Sequence, residues 1–191
     1  LGTGADTTGA TGALAAGGNE ITLINANYAV PLQNSDRVIV EGSAGASRID
    51  AAHLTGSNAL SYFGGGGDDI VLGGAGADEF NFVDGSLFRL GSTISGGAGA
   101  DTIYFDRSMD FLGNSIIGVE GLISFAPGAT TVTISAENAA RLTQMGSFFL
   151  DDATQTFNIQ LAAGSLTDLS NLTLVNRDAG DAINVVSLGG A

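Results

Sequence analysis

The chain has 191 residues and carries 6 basic against 20 acidic side chains, a formal net charge of −14 at pH 7. That length fits one domain or one stacked array, and a surface this acidic repels phosphate, which argues against nucleic acid as a partner. Every basic residue is an arginine, so lysine-based phosphate loops and Schiff-base chemistry are excluded. The absence of cysteine excludes disulfides, thiolate zinc sites and iron–sulfur clusters, and the single histidine, His53, excludes a multi-histidine metal site.

Glycine fills 30 positions and proline only 2, a glycine share roughly twice the usual one. The glycines are clustered rather than spaced by three, so this is not collagen. With 44% hydrophobic residues and a mean hydropathy of +0.28 there is enough apolar surface for a core. No run reaches the roughly 18 apolar residues of a membrane helix. The N-terminus has neither an initiator Met nor a basic-then-apolar leader, and the chain reads as a piece of a longer protein or a processed product.

Residues 1–41 are expected to supply strands that lead into a solenoid. LGTGADTTG keeps Gly2, Gly4 and Asp6 as the tail of an earlier array, and EITLINANYAV and DRVIV are strand-like. From residue 42 a nine-residue period appears. Residues 64–72 read GGGGDDIVL, 73–81 read GGAGADEFN, and 96–104 read GGAGADTIY. Each fits G-G-x-G-x-D-x-U-x, with Val71, Phe80 and Ile103 at the large apolar position U. Weaker copies lie at 42–50, with Ser47 at the aspartate position, and at 55–63, where Leu60 replaces the aspartate but Gly56, Asn58 and Tyr62 keep their places.

Glycine tolerates left-handed backbone, so G-G-x-G-x makes a tight turn that aims carbonyl oxygens inward, and aspartate adds a short anionic oxygen. Such hard oxygens suit calcium rather than zinc or copper, but one loop supplies too few of them, so a second must stack beside it. The expected ligands are Asp69, Asp78 and Asp101, with the backbone of Gly64, Gly66, Gly73, Ala75, Gly96 and Ala98. After the aspartate, x-U-x is a short strand with one inward side chain. Two nonapeptides then complete one turn, so the copies at 42 and 64 share one side and those at 55 and 73 the other. Residues 82–95 form a half-turn with an insertion, Ile94 in the apolar slot, which stacks the loop at 96 on the loop at 73. Asp78 and Asp101 are therefore expected to share one calcium ion. Asp69 is expected to bind on the opposite side, helped by carbonyls around Asp84 or near Ser47, while Asp68 faces solvent.

The nonapeptides resemble the repeats-in-toxin (RTX, hemolysin-type) family, the calcium-binding β-rolls of proteins exported by type I secretion in Gram-negative bacteria. The strong motifs cover residues 64–104, with weaker copies back to 42. The resemblance implies an all-β chain, a right-handed parallel β-roll or β-solenoid with calcium between stacked Gly-Asp loops. It also implies a chain that stays unfolded at cytosolic calcium and folds outside the cell.

Residues 105–191 lack these loops and are expected to continue the solenoid or cap it. Strands are predicted at 118–125, 130–135, 157–163, 171–176 and 182–188, and one short helix at 136–145 with Ser135 as cap and Ala139, Leu142 and Met145 as its apolar stripe. The GVEGL stretch resembles a phrase that follows such repeats in bacterial adhesins and surface-layer proteins. Asp151 and Asp152, and the pair Asp106 and Asp110, read as solvated turn residues rather than accessory calcium sites or glycosidase-like acids. Asp178 and Asp181 before INVVSL resemble an uncleaved export signal, and a last solenoid strand explains them equally.

No nucleophile accompanies His53, which is read as a solvated loop residue, and no catalytic residues are expected. The leading expectation is a structural module of a secreted bacterial cell-surface or matrix protein, of surface-layer or adhesin type. Its partners would be calcium and either further copies or neighbouring solenoid segments, because solenoid ends are open edges. The alternatives are the C-terminal export module of a secreted hydrolase or toxin, and a carbohydrate-binding solenoid with Tyr62, Tyr104 and Asp106 along a polysaccharide groove.

Overall fold

The computed structural model describes residues 9–13, 20–24, 36–84, 88–148 and 154–187. The expected segment at Gly2, Gly4 and Asp6 and the Asp151–Asp152 pair lie outside these residues. In chain order the elements begin with β1 (Gly9–Ala13), β2 (Glu20–Ile24), β3 (Arg37–Glu41), β4 (Arg48–His53), β5 (Ala59–Phe63), β6 (Ile70–Leu72), β7 (Glu79–Phe82), β8 (Thr93–Ser95) and β9 (Thr102–Phe105). They continue with β10 (Met109–Asp110), β11 (Ser115–Ile117), β12 (Gly121–Ser124), β13 (Thr130–Ser135), α1 (Ala136–Ala139), β14 (Gln144–Ser147), β15 (Gln155–Leu161), β16 (Thr173–Val175) and β17 (Ala182–Ser187).

The strands wind a parallel β-solenoid. A first sheet of eight strands runs β1-β3-β5-β7-β9-β12-β14-β16, and a second of five runs β2-β4-β6-β8-β11. Up to β9 the chain alternates between these two. From β10 a third, four-stranded sheet, β10-β13-β15-β17, takes a share of each turn. The repeat spacing accounts for the two-sheet region: U residues nine apart fall on opposite sheets, and those two repeats apart stack. Ile49 pairs with Val71 and Val71 with Ile94 in the second sheet, while Tyr62 pairs with Phe80 and Phe80 with Ile103 in the first.

All of these U side chains are fully buried, and each large apolar side chain so buried contributes roughly 1.5–3 kcal/mol. The ladder continues beyond the nonapeptides, with Ile103 on Leu122, Leu122 on Met145 and Met145 on Leu174. A line of aromatic rings threads the interior: Phe82 lies 4.8 Å from Phe88, and Phe88 lies 5.3 Å from Phe111, centroid to centroid. At the far end the core thins. Leu161, Leu169, Leu172, Leu174 and Ile183 are only partly buried, and Val185 and Val186 are exposed.

The helix is shorter than its 136–145 apolar stripe predicts, because Met145 belongs to β14, held in register on Leu122 of β12. Parallel pairing with an existing edge outweighs helical periodicity here. Ser135 does cap α1, its Oγ accepting the Asn138 N–H at 3.2 Å. The helix stands over β11, where a further strand of the second sheet would stack. Side chains of the helix and of the turn after it take over the missing ladder, Asn138 Nδ2 donating to the Asn114 carbonyl and Arg141 Nη1 to the Ile116 carbonyl, each at 3.2 Å.

Candidate metal centre

The glycine loops stack as the strands do. The loop at 64–69 lies on residues 42–47, and the loop at 96–101 lies on 73–78, with the Ala98 N–H donating to the Gly74 carbonyl. Gly64, Gly66, Gly73 and Gly96 are buried, whereas Ala75 and Ala98 are exposed. Two columns result at the corners where the chain enters each sheet, and their chemistry differs.

The column entering the first sheet is carboxylate-rich. Each acidic side chain reaches to the turn before it and accepts a backbone N–H there. Asp78 Oδ1 accepts from Leu60 at 2.6 Å, Asp101 Oδ1 from Asp78 at 2.7 Å, and Glu120 Oε2 from Asp101 at 2.9 Å. On the preceding turn Asn58 Oδ1 has the same role, accepting the Asp36 N–H at 3.1 Å. Stacking of Gly-Asp loops thus brings Asp78 and Asp101 onto successive turns. Glu120 was not among the residues expected from the repeat. Its signal is the acid-x-U phrase, Glu120-Gly121-Leu122 standing where Asp101-Thr102-Ile103 stands one turn back.

The second oxygens of the two aspartates have unlike surroundings. A Cβ at residue 73 would collide with Asp78 Oδ2 and the Gly96 carbonyl, and a Cβ at residue 96 would collide with Asp101 Oδ2 and the Gly118 carbonyl. Glycine at 73 and 96 is therefore what lets carboxylate and carbonyl oxygens gather at these points. Asp78 Oδ2 accepts the Gly74 N–H at 2.6 Å. Gly97, at the matching place in the next loop, has φ +101, and Asp101 Oδ2 is buried with no hydrogen-bond partner. An unmet buried acceptor costs about 1–3 kcal/mol, more if charged, so this oxygen calls for a proton or a cation.

Among the described residues, the column entering the second sheet holds one inward carboxylate. Asp69 Oδ1 accepts the Ser47 N–H at 2.9 Å and its Oδ2 accepts the Tyr62 hydroxyl at 2.8 Å. Ser92, not Asp84, is its neighbour on the next turn, accepting the Asp69 N–H at 3.1 Å. Asp84 lies instead beside Asp106, whose Oδ2 accepts its N–H at 2.7 Å. Asp68 is exposed.

Burial raises all three aspartates, Asp69 and Asp78 to about 6 and Asp101 to about 7. For Asp101 the neighbouring Asp78 and Glu120 carboxylates push the same way; for Asp69 and Asp78 the N–H and hydroxyl donors pull back without cancelling burial. Among the described residues no three Asp, Glu or His side chains converge closely enough to hold a metal ion alone. A cation here would combine carboxylates with backbone carbonyls, a donor set of hard oxygens that fits calcium.

His53 ends β4 and is exposed. Tyr62 is fully buried, so it lines no external groove. Asp178 and Asp181 make a turn before β17, with Asp181 Oδ1 accepting the Gln155 N–H at 2.7 Å and Oδ2 the Asp178 N–H at 2.9 Å. A cleft of about 630 Å³ lies between α1 and residues 160–171, lined by Glu137, Arg141, Gln160, Asp168 and Asn171. No helix among the described residues is long and apolar enough to cross a membrane.

Fold and site together define a parallel β-solenoid with a column of carboxylates along one corner, Asp78 and Asp101 buried and Glu120 half-buried. No family model matches the chain, and neither a curated protein nor a solved structure matches it.

Proposed function

We propose that this chain is a calcium-binding structural module of the RTX type, from a secreted bacterial cell-surface or matrix protein, which gains stability from calcium after export and carries no catalytic site. The observation that carries this reading is the stack of Gly-Asp loops. It holds the Asp78 and Asp101 carboxylates out of water on successive turns, next to the Gly96 and Gly118 carbonyls. At a net charge of −14, neutralising these groups also relieves repulsion across the whole chain.

The magnitudes suit an export switch. A site with a dissociation constant of ~10⁻⁴ M adds roughly 1.4 kcal/mol at millimolar calcium and almost nothing at micromolar calcium. A solenoid with open ends can also add copies or neighbouring segments to its terminal strands.

Circular dichroism and scattering mass during calcium titration of chelator-treated protein test the reading. A rise in β signal or thermal midpoint near millimolar calcium supports it, and a further rise in mass supports assembly on a surface. Folding without any mass increase favours the alternative of an export module. A spectrum and midpoint indifferent to calcium overturn the metal reading.

The polar cleft beside α1 favours one second reading, a carbohydrate-binding module. Retention of the chain on an immobilised polysaccharide, lost on Asn171→Ala, would support it.

A further inference from the structure

We infer that the cation site is centred on Asp101 Oδ2, between the loop at 96–101 and the stretch Gly118–Glu120, and that it takes one divalent cation of calcium's size and hardness. This rests on the calcium reading above and locates the site one turn beyond the Asp78–Asp101 pair, partly on residues that lie outside the nonapeptides.

Three aspartates occupy the motif position, and their oxygens differ in what they already hold. Asp69 has the Ser47 N–H and the Tyr62 hydroxyl, one on each oxygen. Asp78 has the Leu60 and Gly74 N–H groups. At either of these, a cation would have to share an oxygen that already accepts a donor. Asp101 holds one donor, the Asp78 N–H on Oδ1, and its other oxygen is buried and unpartnered.

The surroundings of that oxygen are those of a cation site. The Gly118 carbonyl and Asp101 Oδ2 border the same point above Gly96, which only a residue without a side chain leaves open. Glu120 is tied to the same loop by its bond from the Asp101 N–H, so a second carboxylate stands on the next turn. Two carboxylates and a carbonyl leave several of calcium's six to eight positions for water, and residues 97–100 are exposed, so water reaches the rim. The anion is thus bracketed by charge on both sides, Asp78 below and Glu120 above, with no arginine bonded to it. Arg37, which offsets Asp78, is engaged with Glu79 at 2.5 Å.

The test is calorimetric titration of calcium chloride into the chelator-treated full chain and into Asp101→Asn, Glu120→Gln and Asp69→Asn. The unaltered chain is expected to bind one calcium most tightly. Asp101→Asn should weaken that site at least tenfold and Glu120→Gln several-fold, while Asp69→Asn retains it. Glu120→Gln keeps an amide oxygen for the Asp101 N–H, so it reports on the site even if Asp101→Asn fails to fold. Loss of the site in Asp69→Asn, with Glu120→Gln binding as the unaltered chain does, overturns this location but leaves the calcium reading standing. No heat and no bound calcium in the unaltered chain overturns both.

Discussion

The Tyr62 hydroxyl donates to Asp69 Oδ2 across the interior of the solenoid at 2.8 Å, with both residues buried. The donor comes from β5 in the first sheet and the acceptor from the turn that enters β6 in the second. Tyr62 belongs to the degenerate nonapeptide that has Leu60 in place of aspartate. A repeat without its own carboxylate therefore supplies the neutral donor that the next repeat's carboxylate uses, and burial beside Asp69 pushes the phenol well above its ordinary range.

Tyr62→Phe leaves Asp69 Oδ2 buried without a partner. It should lower stability by about 1–3 kcal/mol at pH 7.5 in chelator, and urea unfolding measures this. Calcium should recover more stability in the variant than in the unaltered chain, since the vacated oxygen then resembles that of Asp101. An equal calcium increment in both proteins would count against the hydroxyl holding a cation's place.

The pH dependence of the metal-free protein follows from the raised carboxyls. Asp69, Asp78 and Asp101 bind protons more tightly folded than unfolded, at about 6, 6 and 7 against 3.8. Their contribution is complete below 3.8 and is lost as pH rises through 6 to 7. Thermal midpoints in chelator should therefore fall between pH 5 and pH 8. Asp106 works oppositely: although desolvation raises it, bonds from Arg107 and the Asp84 N–H hold it below its usual value. Its contribution is present above 3.8 and lost in stronger acid. With calcium the loss above pH 6 should shrink, because the cation replaces the departing protons; parallel pH curves with and without calcium would contradict this.

Gly96→Ala places a methyl group against the Gly118 carbonyl and Asp101 Oδ2. Backbone must move to admit it, at about 1–3 kcal/mol, and calcium binding should weaken with it. Gly128→Ala meets nothing within 4 Å and should shift stability by no more than about 0.5 kcal/mol. Equal midpoints for the two variants would show that close stacking at residue 96 is not needed.

The α1 cap can be tested separately from the metal. Ser135→Ala removes the Oγ that accepts the Asn138 N–H and should cost about 0.5–2 kcal/mol. Asn138→Ala removes the donor to the Asn114 carbonyl at the edge of β11, at about 1 kcal/mol. Both losses should be the same in calcium and in chelator, as α1 lies on the second sheet and the carboxylate column at the entry to the first.

Much of the two-sheet region is readable from the nonapeptides. A nine-residue period with one apolar U per copy puts Val71 on Ile94 and Phe80 on Ile103, since a one-residue slip would turn these side chains out to water. The third sheet is not readable in this way, because β10 is two residues long and β13, β15 and β17 follow no fixed spacing. The helix boundary escapes for a related reason: Ala139, Leu142 and Met145 satisfy a helical stripe, yet the open edge of β12 offers Met145 a paired backbone and a buried slot.

Glycine, aspartate and one large apolar residue at fixed intervals are enough to dictate the solenoid, its apolar ladder and the three aspartates that face its turns, because they leave the backbone few other ways to bury the apolar residue and bend at the glycines. What those aspartates meet is settled by the folding of distant segments onto one another. One oxygen of each takes an N–H from the turn stacked on it, some 20 residues away in the chain: Asp69 from Ser47, Asp78 from Leu60 and Asp101 from Asp78. The other oxygen is decided by how the nearby chain closes against that stack, so that Asp69 meets Tyr62, Asp78 meets Gly74 of its own loop, and Asp101 keeps one buried oxygen free beside Gly118.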